Sequence, residues 1–242
     1  PDFDTPEIIK QAAIKAINDG QTKYTAVEGI IATKQAIINK LKKDHNLDYK
    51  LDNILISNGA KHSLFNLFQV LVEEGDEVII PAPYWVTYPE QVKFSDGVPV
   101  FIDTDDSTEF KITPEQLKAV ITPKTKILLL NTPSNPTGSV YTREELTALG
   151  KVLEGTDIIV LSDEMYEKII YNGKKFTAAA EVSEDMFKRT VTINGLSKAV
   201  AMTGWRFGYL ASPDVKLVKA LTKLQGQVTS NINTMTQYAA IP

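Results

Sequence analysis

The chain has 242 residues, a length that suits one large α/β domain or two small domains. Apolar residues make up 43% and charged residues 23%, which is typical of globular proteins and excludes a disordered chain. The chain has no cysteine, and its only histidines are His45 and His62. This excludes disulfide frameworks, thiolate metal sites and multi-histidine metal centres, so we predict no bound metal.

Charge and hydropathy exclude two further kinds of partner. The net charge is −4 and the charged residues are scattered, so no basic face is available to bind nucleic acid. The longest uncharged apolar runs, such as Ile127–Leu130 and Ile158–Leu161, are far shorter than the ~20 residues that span a bilayer. We see no signal peptide and expect a cytoplasmic protein. Because the chain starts at Pro1 without an initiator methionine, we treat it as an excerpt.

The predicted elements begin with two helices. Thr5 is the predicted N-cap of the first helix, Pro6 occupies its first position and Gly20 ends it, with apolar residues at helical spacing between them. A second helix is predicted from about Ile30 to Lys43.

From residue 53 onward, short apolar runs alternate with amphipathic stretches. The predicted strands are Ile54–Ser57, Glu77–Ile80, Val98–Asp103, Thr125–Asn131, Asp157–Asp163, Arg189–Asn194 and Phe207–Leu210. The predicted helices are 61–72, 84–94, 114–120, 143–154 and 214–228. Such alternation predicts a three-layer α/β/α fold with a mostly parallel, seven-stranded sheet. Since no repeat or linker interrupts the pattern, we predict a single domain over residues 1–242, with a leading helical segment (1–50) and a sheet-and-helix core (51–242).

Chemically active side chains follow four of the predicted strands. The segments concerned are Asn58–Lys61, Asn131–Gly138, Ser162–Tyr166 and Asn194–Lys198. In a parallel sheet, ligands collect beyond the carboxyl ends of the strands. A lysine can form a Schiff base with an aldehyde cofactor, a carboxylate can hold the proton of a pyridine nitrogen, and a helix N-terminus with an arginine can hold a phosphate. The four segments supply the lysine, the carboxylate and the helix N-terminus, and Arg206 is available elsewhere in the chain, so candidates for every role that pyridoxal phosphate needs are present, although each signal alone is typical of ordinary surface or turn residues.

Longer motifs carry a family resemblance. They are Pro1–Pro6, Pro83–Trp85, Asn135–Gly138, Ser162–Tyr166, Ser197–Lys198 and Met202–Tyr209. On these motifs the chain resembles the large domain of a fold-type I pyridoxal-phosphate aminotransferase of the aspartate-aminotransferase type, in its bacterial and archaeal subgroup. The eight-residue spacing from Lys198 to Arg206 is the most specific feature.

The resemblance implies roles around the cofactor ring. Lys198 would hold the cofactor and move the proton between Cα and C4′, and Asp163 would pair with the pyridine nitrogen. Tyr166 and Asn135 would bond the ring oxygen, and Trp85 would stack on the ring. Trp85 and Asn135 would also contact the substrate.

The resemblance also implies a phosphate site and a partner subunit. The phosphate site would comprise Gly59, Ala60, Lys61, Ser197 and Arg206. Lys61 would in addition bind the distal carboxylate of dicarboxylic substrates. Tyr24 would reach the phosphate of the partner subunit, which implies a homodimer with shared active sites. Relatives hold cis peptide bonds at the positions of Ala82-Pro83 and Asn135-Pro136, so we predict both here.

Some positions depart from the family pattern. Gly195 stands where many relatives have a serine, which removes one phosphate hydroxyl, and Ser134 stands where asparagine is common. The family binds the substrate α-carboxylate through an arginine in a C-terminal small domain. Neither Arg143 nor Arg189 fits that role, so we expect that about a third of the enzyme, including an N-terminal arm and the small domain, lies outside this chain.

The resemblance therefore implies a transaminase that exchanges an amino group between an amino acid, aspartate or another dicarboxylic one, and a 2-oxo acid by a ping-pong mechanism. Three alternatives share the cofactor: an aromatic aminotransferase, a prephenate aminotransferase and a β-lyase. Two others have no catalytic role: a cofactor-sensing domain of a transcription regulator, and a scaffold that has lost activity.

Overall fold

The computed structural model describes residues 2–242. The chain divides into two compact units, which are described separately below. The first consists of Pro1–Asn66 and Ile193–Pro242, and the second of Leu67–Thr192. The single domain over residues 1–242 stays a prediction.

Helices and strands alternate along most of the described chain. The helices are α1 (Glu7–Asn18), α2 (Ile31–His45), α3 (Ala60–Leu71), α4 (Thr87–Phe94), α5 (Pro114–Val120), α6 (Arg143–Leu153), α7 (Glu184–Arg189), α8 (Val215–Val228) and α9 (Thr234–Ala239). The strands are β1 (Ile54–Ser57), β2 (Glu77–Ala82), β3 (Val98–Asp103), β4 (Thr125–Asn131), β5 (Ile159–Asp163), β6 (Thr190–Gly195) and β7 (Gly208–Ala211). No helix within residues 2–242 is long and apolar enough to cross a membrane.

The strands form one seven-stranded sheet in the order β1-β7-β6-β5-β4-β2-β3. Strand β2 pairs in parallel with both β3 and β4, and β4 pairs in parallel with β5. Strand β1 pairs antiparallel with β7. The α/β fold with a mostly parallel, seven-stranded sheet that the sequence predicted is confirmed.

In the first unit, α1 lies against α9 and buries Ile9 and Ala13. The sequence placed the N-cap of α1 at Thr5, and this was wrong because the N-cap is Pro6. The Thr5 hydroxyl instead donates to the Ala201 carbonyl at 2.8 Å and accepts from the Trp205 indole N–H at 3.0 Å. Thr5 therefore ties the start of the chain to the segment before β7.

In the second unit, the core lies between the parallel strands and the helices packed on them. Leu128, Leu130 and Val160 from β4 and β5 are fully buried there, together with Leu146 and Leu153 from α6. Helix α6 begins at a capping box in which Thr142 and Glu145 each accept from the other's backbone N–H, so its first turn is fixed by local sequence. This packing holds the ends of β4 and β5, where the predicted polar residues follow.

Two short helices and one cis peptide bond were not predicted from the sequence. Helices α7 and α9 have six residues each, too few to show a helical period in the sequence. Both predicted cis bonds, Ala82-Pro83 and Asn135-Pro136, are present, and Thr132-Pro133 is cis as well.

Candidate active site

Asn131 and Asp163 end two neighbouring strands of the second unit. They lie side by side in the β4–β5 register. The Asn131 side chain donates to the Asp163 backbone carbonyl at 3.0 Å and accepts from the Asn135 backbone N–H at 2.7 Å. One amide thus fixes the segment carrying Asn135 relative to Asp163, two residues that the sequence placed around one ring.

The Asp163 carboxylate is buried, with 4% of the residue exposed. The Tyr88 hydroxyl donates to its Oδ2 at 2.8 Å, and the Met165 backbone N–H donates to its Oδ1 at 3.2 Å. Burial raises the pKa of Asp163 above its usual value, while these two hydrogen bonds oppose that rise. A buried negative charge is costly unless a positive charge lies beside it, so a cation that contacts this carboxylate would be strongly favoured.

Aromatic side chains surround the donor to this carboxylate. Tyr88 lies in the first turn of α4, and burial beside Asp163 raises its pKa well above the usual value, so its hydroxyl keeps its proton. The Trp85 ring meets Tyr88 edge to face at 5.4 Å between centroids. Tyr166 is half-buried and close enough to Tyr88 to raise its pKa further. Trp85, Tyr166 and Asp163, all predicted ring residues, are therefore grouped around Tyr88.

In the first unit, the backbone at the start of α3 lies directly under the Arg206 guanidinium. Gly59 has a φ of 85°, and a Cβ at this position would lie 2.4 Å from Arg206 Nη2. A Cβ at Gly208 would lie 2.4 Å from the Ala60 nitrogen. Only glycine permits both approaches. The guanidinium is held by a 2.9 Å hydrogen bond from Nη1 to the Thr203 carbonyl.

The N-terminus of α3 adds a second source of positive potential to this place. The helix has 12 residues and begins at Ala60, so its dipole and first-turn N–H groups favour an anion there. Lys61 is exposed on this first turn. The preceding loop is fixed by a 3.1 Å hydrogen bond from the Asn58 backbone N–H to His62 Nδ1. Arg206 and the start of α3 together form a cradle suited to a phosphate.

The other predicted residues of the first unit lie in the expected local settings. Lys198 is exposed just after β6, and Ser197 beside it is buried. Gly195, the departure from the family pattern, is the buried last residue of β6. Tyr24 is 89% exposed, so its ring is accessible to another molecule.

The remaining arginines are engaged in contacts within the second unit. Arg143 pairs with Glu181. Arg189 pairs with Asp185 at 2.7 Å and donates to the carbonyls of Thr156 and Ile158. That neither arginine binds a substrate carboxylate stays a prediction.

Sequence reasoning missed two residues, Tyr88 and Asn131. Asn131 was inside a segment singled out for its polar residues, but nothing in the sequence distinguished its side chain from a turn asparagine. Tyr88 reads as an ordinary core aromatic. Its one signal is that it follows Trp85 by three residues, which places the two rings within one turn of each other.

Comparison with known proteins shows which family the chain resembles. A sequence profile described as "Aminotransferase class I and II" matches residues 1–241. An aspartate aminotransferase of Geobacillus stearothermophilus is 54% identical over 241 residues, covering 100% of this chain and 61% of the relative. An aspartate/prephenate aminotransferase of Nitrosomonas europaea is 52% identical, covering 99% of this chain and 60% of the relative.

Solved structures give the same result. The aspartate aminotransferase of Rhizobium meliloti has a TM-score of 0.97 at 45% identity, covering 100% of this chain and 60% of that one. An aromatic aminotransferase of Pyrococcus horikoshii has a TM-score of 0.96 at 37% identity, covering 100% of this chain and 64% of that one. The chain thus spans about three-fifths of the length of these relatives.

Proposed function

Because the chain belongs to the class I and II aminotransferase family, we propose that it binds pyridoxal phosphate, the cofactor of that family, and that the protein is a transaminase. The observation that carries this proposal is the buried Asp163 carboxylate. It accepts hydrogen bonds from two donors and forms no ion pair with the described residues of the second unit. A protonated pyridine nitrogen is the kind of partner that such a carboxylate needs. The cradle formed by Gly59 and Arg206 suits the phosphate because the backbone approaches the guanidinium closely and the helix N-terminus beside it favours an anion.

When bound, the cofactor supplies an electron sink that stabilises negative charge at the substrate Cα. Asp163 keeps the ring nitrogen protonated, which this sink requires. Trp85 provides an apolar surface for one face of the ring. The Asn135 amide and the Tyr166 hydroxyl donate hydrogen bonds to the ring oxygen. Arg206, Ser197 and the backbone of Gly59, Ala60 and Lys61 orient the phosphate.

Lys198 is the proposed catalytic base and attachment point. Lys198 is an exposed residue that follows β6, so its amine can reach a bound molecule and exchange protons with it. In this role the Nζ atom would take the proton from the substrate Cα and would return it at C4′ of the cofactor. Amino acid and 2-oxo acid are then bound in alternation.

Borohydride reduction followed by peptide mass mapping tests the proposal. The pyridoxyl label should be found on the peptide that contains Lys198, and Lys198→Ala should abolish labelling and slow transamination by several orders of magnitude. Lys216→Ala, which changes another exposed lysine in the first unit, is the control. A label on any other lysine, or full activity in Lys198→Ala, would refute the assignment.

Lys61 supports a preference for dicarboxylic amino acids such as aspartate. It is the second residue of α3, where an ammonium group adds to the positive end of the helix dipole. A purely structural role does not explain a cation at that end. A charge-assisted hydrogen bond contributes about 1.5–3 kcal/mol, so Lys61→Ala should lower kcat/KM for aspartate about 10- to 100-fold and for alanine much less.

The matched control is Lys216→Ala, because Lys216 is likewise exposed as the second residue of its helix, α8. It should leave both kcat/KM values unchanged. Equal losses on aspartate and alanine in Lys61→Ala would make Lys61 a cofactor or folding residue. The aspartate/prephenate names among the relatives favour prephenate as a second amino acceptor, to be measured in the same assay.

We also propose a cytoplasmic homodimer with shared active sites. The 89% exposure of the Tyr24 side chain leaves it available to the partner's phosphate site. In a dimer with shared sites, mixing inactive Tyr24→Ala and Lys198→Ala proteins should restore activity, because some mixed dimers contain one intact site. Mixtures that stay inactive while forming dimers would contradict the shared site.

A further inference from the structure

Tyr88 is the buried residue whose contact with the candidate site the sequence did not predict. Only 1% of it is exposed, although it lies in the first turn of the short helix α4. Its backbone N–H is bonded to the Trp85 carbonyl at 3.0 Å, and its ring meets the Trp85 ring edge to face. Both its backbone and its ring are therefore fixed before any ligand binds.

The Tyr88 hydroxyl has a defined direction as a donor. It lies 2.8 Å from Asp163 Oδ2, and a carboxylate can only accept at this distance. The second carboxylate oxygen, Oδ1, accepts from the Met165 backbone at 3.2 Å, a longer contact. The shorter bond therefore comes from a side chain, that of Tyr88, and the longer one from the backbone.

We propose that Tyr88 is a positioning residue for Asp163, which orients the carboxylate and keeps it an anion so that a proton shared with the bound pyridine ring stays on the ring nitrogen. This inference rests on the proposed function. The titratable groups that face the Tyr88 hydroxyl are Asp163 and Tyr166. Asp163 is the acceptor itself, and Tyr166 raises the pKa of Tyr88 through its charge.

The physical reason is a balance of proton affinities. A buried carboxylate that loses a donor holds a proton more tightly, because its charge is less well solvated. The shared proton would then move from the ring nitrogen to the carboxylate oxygen. The ring becomes neutral, and it withdraws electrons from the substrate less effectively. Tyr88 therefore contributes to catalysis through Asp163 and without touching the substrate.

Tyr88→Phe tests this because it removes one oxygen and keeps the ring that packs on Trp85. The full-length protein is loaded with ¹⁵N-pyridine-labelled pyridoxal phosphate, and the nitrogen NMR shift is compared with kcat and KM. We expect the shift to move from the protonated toward the neutral value. We expect kcat to fall about 10- to 100-fold, the effect of one charge-assisted hydrogen bond, with KM little changed.

Tyr141→Phe is the matched control. Tyr141 is a second buried tyrosine of the same unit, and its hydroxyl accepts from the Ile112 backbone N–H at 2.9 Å. This change should lower thermal stability and leave the nitrogen shift unchanged. If Tyr88→Phe has the wild-type nitrogen shift and kcat, the role of Tyr88 is refuted. If the wild-type protein binds no cofactor, the proposed function itself is refuted, so the two failures are distinct.

A second measurement covers the case in which Tyr88→Phe does not fold. Incorporation of 3-fluorotyrosine in place of Tyr88 keeps the size of the side chain and makes its hydroxyl a stronger donor. In the cofactor-free protein, the ¹³C signal of the Asp163 carboxyl should then titrate at a lower pH than in the wild type. An unchanged or higher midpoint would overturn the proposal.

Discussion

The contact between Gly59 and Arg206 allows a direct test of the phosphate cradle. In Gly59→Ala, the new Cβ would lie 2.4 Å from Arg206 Nη2 and 3.0 Å from its Cζ, so the guanidinium has to move. Each charge-assisted hydrogen bond that the guanidinium then fails to make with phosphate is worth about 1.5–3 kcal/mol. The dissociation constant for pyridoxal phosphate should rise about 10- to 100-fold.

Alanine at position 59 also has a backbone cost that must be separated from the clash. Gly59 has a φ of 85°, a conformation that costs an L-residue about 1–2 kcal/mol of stability. Gly75 has a φ of 84° with nothing within 4 Å of its Cβ position, so Gly75→Ala carries the backbone cost alone. Both variants should lose similar thermal stability, and only Gly59→Ala should lose affinity.

The ligand provides a further control, measured by equilibrium titration of the cofactor absorbance. Pyridoxal has the same ring and aldehyde as pyridoxal phosphate and no phosphate. Gly59→Ala should therefore weaken the binding of pyridoxal phosphate strongly and the binding of pyridoxal only a little. Equal weakening of the binding of both ligands would contradict this, as would a Gly75→Ala variant that loses as much affinity for pyridoxal phosphate as Gly59→Ala does. In either case Arg206 does not act through the phosphate, and the proposed cradle is wrong.

Three further outcomes are expected. Burial lowers the pKa of Lys34, so the unfolded chain binds this proton more tightly than the folded chain does. The free energy of unfolding, measured by urea titration, should therefore rise as the pH is raised toward 10.5. Lys34→Met should remove this pH-dependent contribution. Burial also lowers the pKa of His62, so below pH 6.5 the unfolded chain takes up this proton before the folded chain does. The free energy of unfolding should therefore fall as the pH drops below 6.5, and it should fall less steeply in His62→Phe. Asn131→Asp replaces a donor to the Asp163 carbonyl with a carboxylate and should weaken cofactor binding at least tenfold, measured by the same titration.

The sequence predicted most elements because their signals are local. Strands β1, β3 and β4 begin and end at the predicted residues, since each is a short apolar run between turn residues. Thr5 shows where such reasoning fails. It has the right type and spacing for an N-cap, but its hydroxyl bonds Ala201 and Trp205, about 200 residues away. Local sequence cannot reveal that competition.

The candidate site divides in the same way. The positions of Lys198, Asp163 and Arg206 follow strand ends and a fixed spacing, which the chain shows directly. Tyr88 and Asn131 act through partners 75 and 32 residues away. Neither partner can be inferred until β4 and β5 are known to be neighbours and the Tyr88 side chain is placed beside Asp163. The assigned roles remain proposals, and the experiments above address them one residue at a time.

Tyr88, one of the two residues that the sequence missed, matters because it supplies a fixed dipole to the Asp163 carboxylate. A buried carboxylate is unstable as an anion unless fixed dipoles solvate it. Met165 supplies one such dipole from its backbone N–H, where any residue type except proline would serve. The other has to come from a side chain that donates without carrying charge, because a cation there would neutralise Asp163 before a ligand could. A buried tyrosine meets that requirement, since its raised pKa keeps the hydroxyl protonated. We therefore expect Asp163 to pair as an anion with a cationic ring.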